Sequence, residues 1–375
     1  HTRREVRERG RRRPARRLKR MHQRKLVVHG NVTCPLPTMT DARGAAAGDV
    51  LPWVEKYRPA TLDDVIAHQH ISATLLRFVD AGQLPHLLFY GPPGTGKTST
   101  ALALARRLYG GAVRSNVLEL NASDDRGIDV VRGQIKAFAS TRNVFAGAQS
   151  FKLIILDEAD AMTQAAQGAL RRVMEQYTRN VRFVLICNYV NKIIPAIQSR
   201  CTRFRFAPLA SDAVARRLAA VVDAENAALD EPARDALLSL AAGDMRRALN
   251  ILQAAAAADP ARPITEDIIY ACTGNAHPRD IHAAFRAMLQ DEFATALHTV
   301  HALRTARGIA PMDLLTGMHE LVMALELPPH ARAFLLDQMA QIEYRLATGA
   351  SERIQLSALL GAVKATVDLS QKKPT

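Results

Sequence analysis

Between residues 86 and 206 the chain alternates short apolar runs with longer stretches of helical period. The runs are Leu87-Leu88-Phe89-Tyr90, Val117-Leu118-Glu119-Leu120, Leu153-Ile154-Ile155-Leu156, 181–187 and the shorter 202–206. Near-continuous apolar runs of this length, bounded by turn residues, predict strands buried on both faces. Between them, 99–109 is rich in Ala and Leu, 127–140 puts Ile128, Val131, Ile135 and Phe138 on one face, and 163–177 is amphipathic. Strands alternating with helices predict a three-layer α/β sandwich around a parallel sheet. From Pro208 onward the strand signals stop. Helical periodicity over 211–222, 231–241, 245–257 and 265–272 predicts a small all-α domain that ends near Thr273-Gly274-Asn275. Residues 278–368 give further helices, broken at 308–311 and at Pro328-Pro329. Ahead of the patterned region, 51–59 holds the only Trp, a Tyr and two prolines, which suits a rigid docked segment.

Composition adds bounds rather than detail. A chain of 375 residues with 48% apolar content buries two or three cores. No apolar run approaches the roughly 18 residues of a membrane span, and no apolar h-region marks a secretory leader. Cys34, Cys187, Cys201 and Cys272 are scattered without a C-x-x-C pair. Neither zinc nor a disulfide framework is expected, and a reducing compartment is. Residues 1–38 hold 13 Lys+Arg against 2 Asp+Glu and so account for +11 of the net +14. Residues 1–50 lack apolar periodicity and read as a disordered basic region. It is either a nuclear-localisation or nucleic-acid arm, or dispensable upstream sequence, since the chain starts at His1 and Met39 stands just before the patterned part. Any nucleic-acid argument must therefore rest on placed residues, not on the isoelectric point.

One loop carries the strongest chemistry. Gly91-Pro92-Pro93-Gly94-Thr95-Gly96-Lys97-Thr98 fills every fixed position of G-x-x-x-x-G-K-[ST], and it sits between a predicted strand and a predicted helix. Glycines let the backbone fold around a polyphosphate. Pro92 and Pro93 have no N–H, so the donors fall to Gly94 through Thr98, with the helix N-terminus aimed at the same anion. Lys97 supplies a point charge for the β- and γ-phosphates, and the Thr98 hydroxyl suits Mg²⁺. Downstream, Leu153 to Leu156 runs into Asp157-Glu158-Ala159-Asp160, which places acids at the sheet's C-terminal edge. Asp157 suits the metal and Glu158 the attacking water. Asn188, at the tip of the next strand, would face the γ-phosphate and could hold the attacking water, with an ordinary strand-ending turn residue as the alternative. Arg132 and Lys136 are spaced i,i+4. From spacing alone they read as a solvated basic face, with a DNA phosphate backbone as the sharper alternative.

These residues resemble an AAA+ ATPase, and more closely the small subunits of the replication factor C clamp loader, from about residue 51 to 369. The specific pieces are Trp53-Val54-Glu55-Lys56-Tyr57-Arg58-Pro59, Asn121-Ala122-Ser123-Asp124-Asp125-Arg126-Gly127, the Asp157–Asp160 box, Ser199-Arg200-Cys201 and Gly243-Asp244-Met245-Arg246-Arg247-Ala248-Leu249-Asn250. The resemblance implies a RecA-like nucleotide-binding domain (51–207), a helical lid (208–274), an all-α collar (275–369) and a tail (370–375). It implies a nuclear heteropentamer, formed with the other replication factor C subunits and with no membrane association. That assembly would open a ring-shaped sliding clamp, proliferating cell nuclear antigen, and place it on primer–template DNA. ATP with Mg²⁺ would be its cofactor.

Roles carry over by position. Lys97 and Thr98 bind phosphate and metal within a cradle that runs from Gly91 through Pro92, Pro93, Gly94, Thr95 and Gly96 to Ser99. Tyr57, Arg58 and Pro59 lie near the adenine. Asp157 and Glu158 serve metal and water, Asn188 is the first sensor and Arg246 the second. Arg200 is an arginine finger acting on the neighbouring subunit's ATP; the plainer reading is an arginine paired within its own chain. Arg132 and Lys136 match the helix that tracks DNA, which reverses the bland reading, and helix 163–177 matches the clamp-facing surface. Two other readings stay open. A helicase is suggested by the Asp157–Asp160 box, but the helical C-terminal half offers no second RecA-like domain. A scaffold subunit that binds ATP without turning it over is opposed by the intact Glu158.

Overall fold

The computed structural model describes residues 51–371 apart from Ile66, Asp125, Arg126, Ile128, Val130, 142–150 and 260–261. The basic region expected over 1–50 and most of the expected tail lie outside the described residues, as do parts of the 121–127 motif.

Five strands form one parallel sheet in the order β2-β3-β4-β1-β5: β1 His86–Tyr90, β2 Val117–Asn121, β3 Lys152–Asp157, β4 Val181–Cys187 and β5 Cys201–Arg205. The three central strands are the ones with unbroken apolar sequence, and their side chains are buried almost throughout. The two edge strands are half-exposed. Alternate residues feed two cores. Leu88, Ile154, Phe183 and Leu185 pack against Ala166, Leu170 and Met174 of helix Gln164–Gln176. Leu87, Phe89, Ile155 and Ile186 pack against Ala101 and Leu104 of helix Lys97–Tyr109, and against Ile71 and Leu75 of helix Gln69–Asp80. A parallel sheet needs this cover on both faces, because its crossover connections place helices there.

The helix expected over 127–140 is not regular. Val131–Ile135 form a π-helical turn, which passes directly into the short α-helix Lys136–Ser140. Gly133 sits inside the turn, where the lack of a side chain weakens the α-helix. The buried face is carried by Ile135 and Ala139, with Phe138 packed against it.

Beyond the sheet, helices Ser211–Glu225, Glu231–Ala241, Met245–Ala258 and Glu266–Thr273 share a separate core built on Leu218, Leu237, Leu252 and Ile269. Trp53, Val54 and Tyr57 pack into this lid core and not into the sheet. Five more helices, from Pro278–Gln290 to Glu352–Gln371, close a further core whose buried members all fall between Ala276 and Val363. Its expected breaks are where Gly308 adopts φ 67° and Pro311 restarts a helix, and where Pro329 opens the next.

His86 opens β1 and is 8% exposed; its Nδ1 accepts from Phe183 N–H at 3.1 Å. Burial, and then the nearby Arg182 charge, push its pKa from 6.5 to about 4. The unfolded chain therefore takes up this proton first. Stability from His86 is complete above about pH 6.5 and is lost as pH falls towards 4, by up to about 3 kcal/mol. His86→Gln keeps an acceptor without a proton site. Urea unfolding at pH 7 and pH 4.5 should show a smaller acid loss in the variant than in the wild type. Parallel losses would clear His86 of this role.

Candidate functional site

The loop between β1 and helix Lys97–Tyr109 wraps the helix N-terminus, with Gly94 at φ 66° and Gly96 at φ 89°. Both angles are in the left-handed region that glycine tolerates without cost. Gly94 has a second constraint. A Cβ there would collide with the Asp244 carboxylate, and Gly94 O accepts from Met245 N–H at 3.2 Å. The lid thus rests directly on the phosphate loop. Lys97, the first helical residue, is 7% exposed. Its Nζ donates to Gly91 O at 2.9 Å and to Pro92 O at 2.7 Å. Burial holds its pKa below the ordinary lysine value, and Asp157 opposes that shift.

Asp157 ends β3. Its Oδ2 accepts from Thr98 Oγ1 at 2.7 Å and its Oδ1 from Glu158 N–H at 2.8 Å. Two oxygen ligands of the kind Mg²⁺ takes are therefore in contact at the mouth of the loop, and the donor set fits a magnesium–nucleotide. Glu158 adopts φ 50°, ψ 38°, a left-handed conformation that costs a non-glycine residue roughly 1–2 kcal/mol. Strain of this kind is tolerated where the chain must aim a side chain, and Glu158 lines the cleft. Asn188 follows β4 and also lines the cleft. Next to it, Tyr189 N–H donates to Asp160 at 3.3 Å.

The far wall belongs to the lid and the N-terminal strap. Asp244 caps helix Met245–Ala258 by accepting from Arg247 N–H at 3.0 Å, and Arg246 in the first turn lines the cleft. Tyr57 Oη donates to Glu225 at 2.5 Å, and Lys56 pairs with the same oxygen at 2.6 Å. Burial, then the bond to Glu225, hold the Tyr57 phenol above its ordinary pKa. Arg217 donates to Tyr57 O at 2.9 Å, and Trp53 N–H to Gln253 at 3.1 Å.

One cleft therefore gathers Tyr57, Arg58, Pro59, the stretch from Pro93 to Ser99, Asp157, Glu158, Asn188 and Arg246. Gly91 and Pro92 face Lys97 instead. Arg217, Ala213 and Leu209, and Met245 with Leu249, also line it. Their four-residue spacing is visible in the sequence, but it points at a nucleotide only once the strap is known to dock there. Arg200 is not in this cleft. It follows the short helix Pro195–Gln198, and its guanidinium pairs with Glu175 of the same chain at 2.5 Å. Lys136 is exposed and does not line the cleft. Arg132 lies in the π-helical turn, so the regular-helix spacing that put it on one face with Lys136 does not apply, and its side chain is outside what the structure describes.

Residues 87–209 match the family described as ATPase family associated with various cellular activities (AAA), and residues 276–362 match the replication factor C C-terminal domain. Replication factor C subunit 3 of Schizosaccharomyces pombe is 55% identical, over 86% of this chain and 93% of that protein. Replication factor C subunit 5 of Homo sapiens is 54% identical over 85% and 93%, and subunit 3 of Saccharomyces cerevisiae 52% identical over 85% and 94%. Likeness of this degree, over nearly the whole length of those proteins, fixes the family: the chain belongs to the replication factor C family of AAA ATPases.

Proposed function

We propose that this chain is an ATP-hydrolysing subunit of a nuclear DNA clamp loader. With its partner subunits it would use ATP and Mg²⁺ to open a ring-shaped sliding clamp and place it on primer–template DNA. The observation that carries the reading is the 2.7 Å bond between Thr98 of the phosphate loop and Asp157 of β3. It brings the two residues read as metal ligands from distant stretches into contact, in the cleft that Lys97, Glu158, Asn188 and Arg246 also line.

Each residue's work follows from its chemistry. The N–H groups from Gly94 onward and the helix N-terminus hold phosphate oxygens. Lys97 exchanges its two carbonyl acceptors for β- and γ-phosphate oxygens. Thr98 and Asp157 would hold Mg²⁺, which when bound neutralises charge developing on those oxygens. Glu158 accepts a proton from, or orients, the attacking water, and Asn188 holds that water in line. Arg246 carries the γ-phosphate state into the lid, whose next contact is the loop itself. Arg200, which pairs at rest with Glu175 of its own chain, would leave that partner to serve a neighbour's nucleotide.

Lys97 is buried and bonded, so a substitution should keep its stem. Lys97→Met is expected to weaken equilibrium ATP binding by about 10- to 100-fold, the value of a charge-assisted hydrogen bond, with the melting temperature little changed. Unaltered affinity would remove Lys97 from the phosphate site.

Glu158→Gln, of the same shape but unable to act as a base, should bind ATP like the wild type and lose about 10²–10⁴ in turnover at this site. The measurement is single-site hydrolysis in an assembly whose other sites are silenced. Wild-type turnover there would refute the assignment.

Replacing Arg132 and Lys136 together with Ala should weaken primer–template binding equally for all sequences. It should also flatten the log–log salt dependence by about one to two units. An unchanged slope would return both residues to a solvated face. If removal of residues 1–38 alone abolishes binding, the basic region and not this pair of residues is the DNA contact.

A further inference from the structure

We propose that Glu175 is a tether that holds back the Arg200 guanidinium, so that Glu175 sets how readily the neighbouring subunit's ATP site receives it. The inference rests on the reading of Arg200 as acting in trans. A guanidinium grips phosphate along one edge, using Nη1 with Nη2 or Nε with Nη2. Here Nη2 lies 2.5 Å from Glu175 Oε1. Nη1 donates to Ala196 O at 2.6 Å and lies 3.4 Å from Ser199 Oγ. The nitrogen common to both edges therefore already gives one of its two N–H groups to a carboxylate of its own chain. On the edge that Glu175 holds, a phosphate arriving from a neighbour must displace the carboxylate before it can be held by two bonds, and on the other edge it meets the carboxylate's charge close by.

The displaced carboxylate has a second place to go. Arg171, one turn earlier on helix Gln164–Gln176, has its Nε 4.0 Å from the same Oε1. That Nε is buried and, among the described residues, has no hydrogen-bond partner. When Arg200 leaves, Glu175 can close on Arg171 and satisfy a donor that is otherwise unmet. The exchange leaves neither charge alone, which makes Glu175 a two-position element between two arginines. Side-chain exposures of 38% for Arg200 and 43% for Glu175 place the tether among weak, solvent-screened pairs. Such a pair yields to a nucleotide's γ-phosphate but biases the resting population by a few-fold.

The test uses the complete assembly with every ATP site silenced except the neighbour's, first without DNA and clamp and then with both. Glu175→Gln should raise the neighbour's kcat about two- to fivefold in their absence and leave its nucleotide Kd unchanged. Glu175→Asp, which restores the charge, should return the rate towards wild type. Arg171→Met, which removes the competing partner, should lower it. With DNA and clamp saturating, wild type and Glu175→Gln should converge. Arg200→Ala should abolish turnover at the neighbour's site and erase the effect of every other variant. Opposite signs from two substitutions on one helix are not a result that loosened packing produces. If Arg200→Ala stops the neighbour while Glu175→Gln is neutral or slower, the tether is wrong and the trans reading survives. If Arg200→Ala leaves the neighbour untouched, the trans reading fails and the tether falls with it.

Discussion

A parallel sheet covered on both faces can keep charge only at its ends. Leu153 to Leu156 and Val184 to Cys187 are sealed between two layers of helices, so an ionised group along their length would lose its hydration without return. Asp157 and Asn188 come immediately after those runs, at the edge where the strands finish. Because all five strands point the same way, the loop after β1, the acids after β3 and the amide after β4 finish on one side. The clustering of polar groups there is a consequence of burial elsewhere. The Thr98–Asp157 bond joins two of those ends across the sheet edge.

The other half of the cleft follows a different logic. The lid reaches the phosphate loop through backbone and carboxylate contacts at Gly94, a position where any side chain would push the two apart. The strap at 53–57 belongs to the lid core, while Arg58 and Pro59, which follow it, line the cleft. A shift of the lid therefore moves both the Arg246 wall and the strap wall, with Tyr57, Glu225 and Arg217 as the polar joint between them.

Much of this is legible in the sequence itself. Strand runs without a polar break point to the sheet, and a loop that fills every fixed position of the phosphate-loop pattern points to one wall of the cleft, whereas Tyr57, Arg58, Pro59 and Arg246 are reached only through the family resemblance. Gly308, Pro311 and the Pro328-Pro329 pair marked the collar's helix ends because their backbone preferences act locally. What escaped was either cumulative or mutual. The π-helical turn at 131–135 depends on how a glycine-containing stretch settles against its neighbours, which apolar spacing does not report. The strap reads as the start of the nucleotide domain because it is next to it in sequence, yet its apolar side chains find the lid. The Glu175–Arg200 pair joins a helix to a strand start 25 positions later, and many surface acids could have met that arginine.

Trp53 and its partner Gln253 are 200 positions apart. At synthesis rates of about 5–20 residues per second, the strap leaves the ribosome roughly 10–40 s before the helix that receives it. Through that interval Trp53 lacks the helix that receives it, while the strands from β1 to β5 emerge in turn and can pair. The helix that bears Arg246 thus emerges after every strand of the sheet. Nucleotide can lend its full binding energy only once that wall of the cleft is made, so the sheet begins to fold on burial alone, which its uninterrupted apolar strands allow.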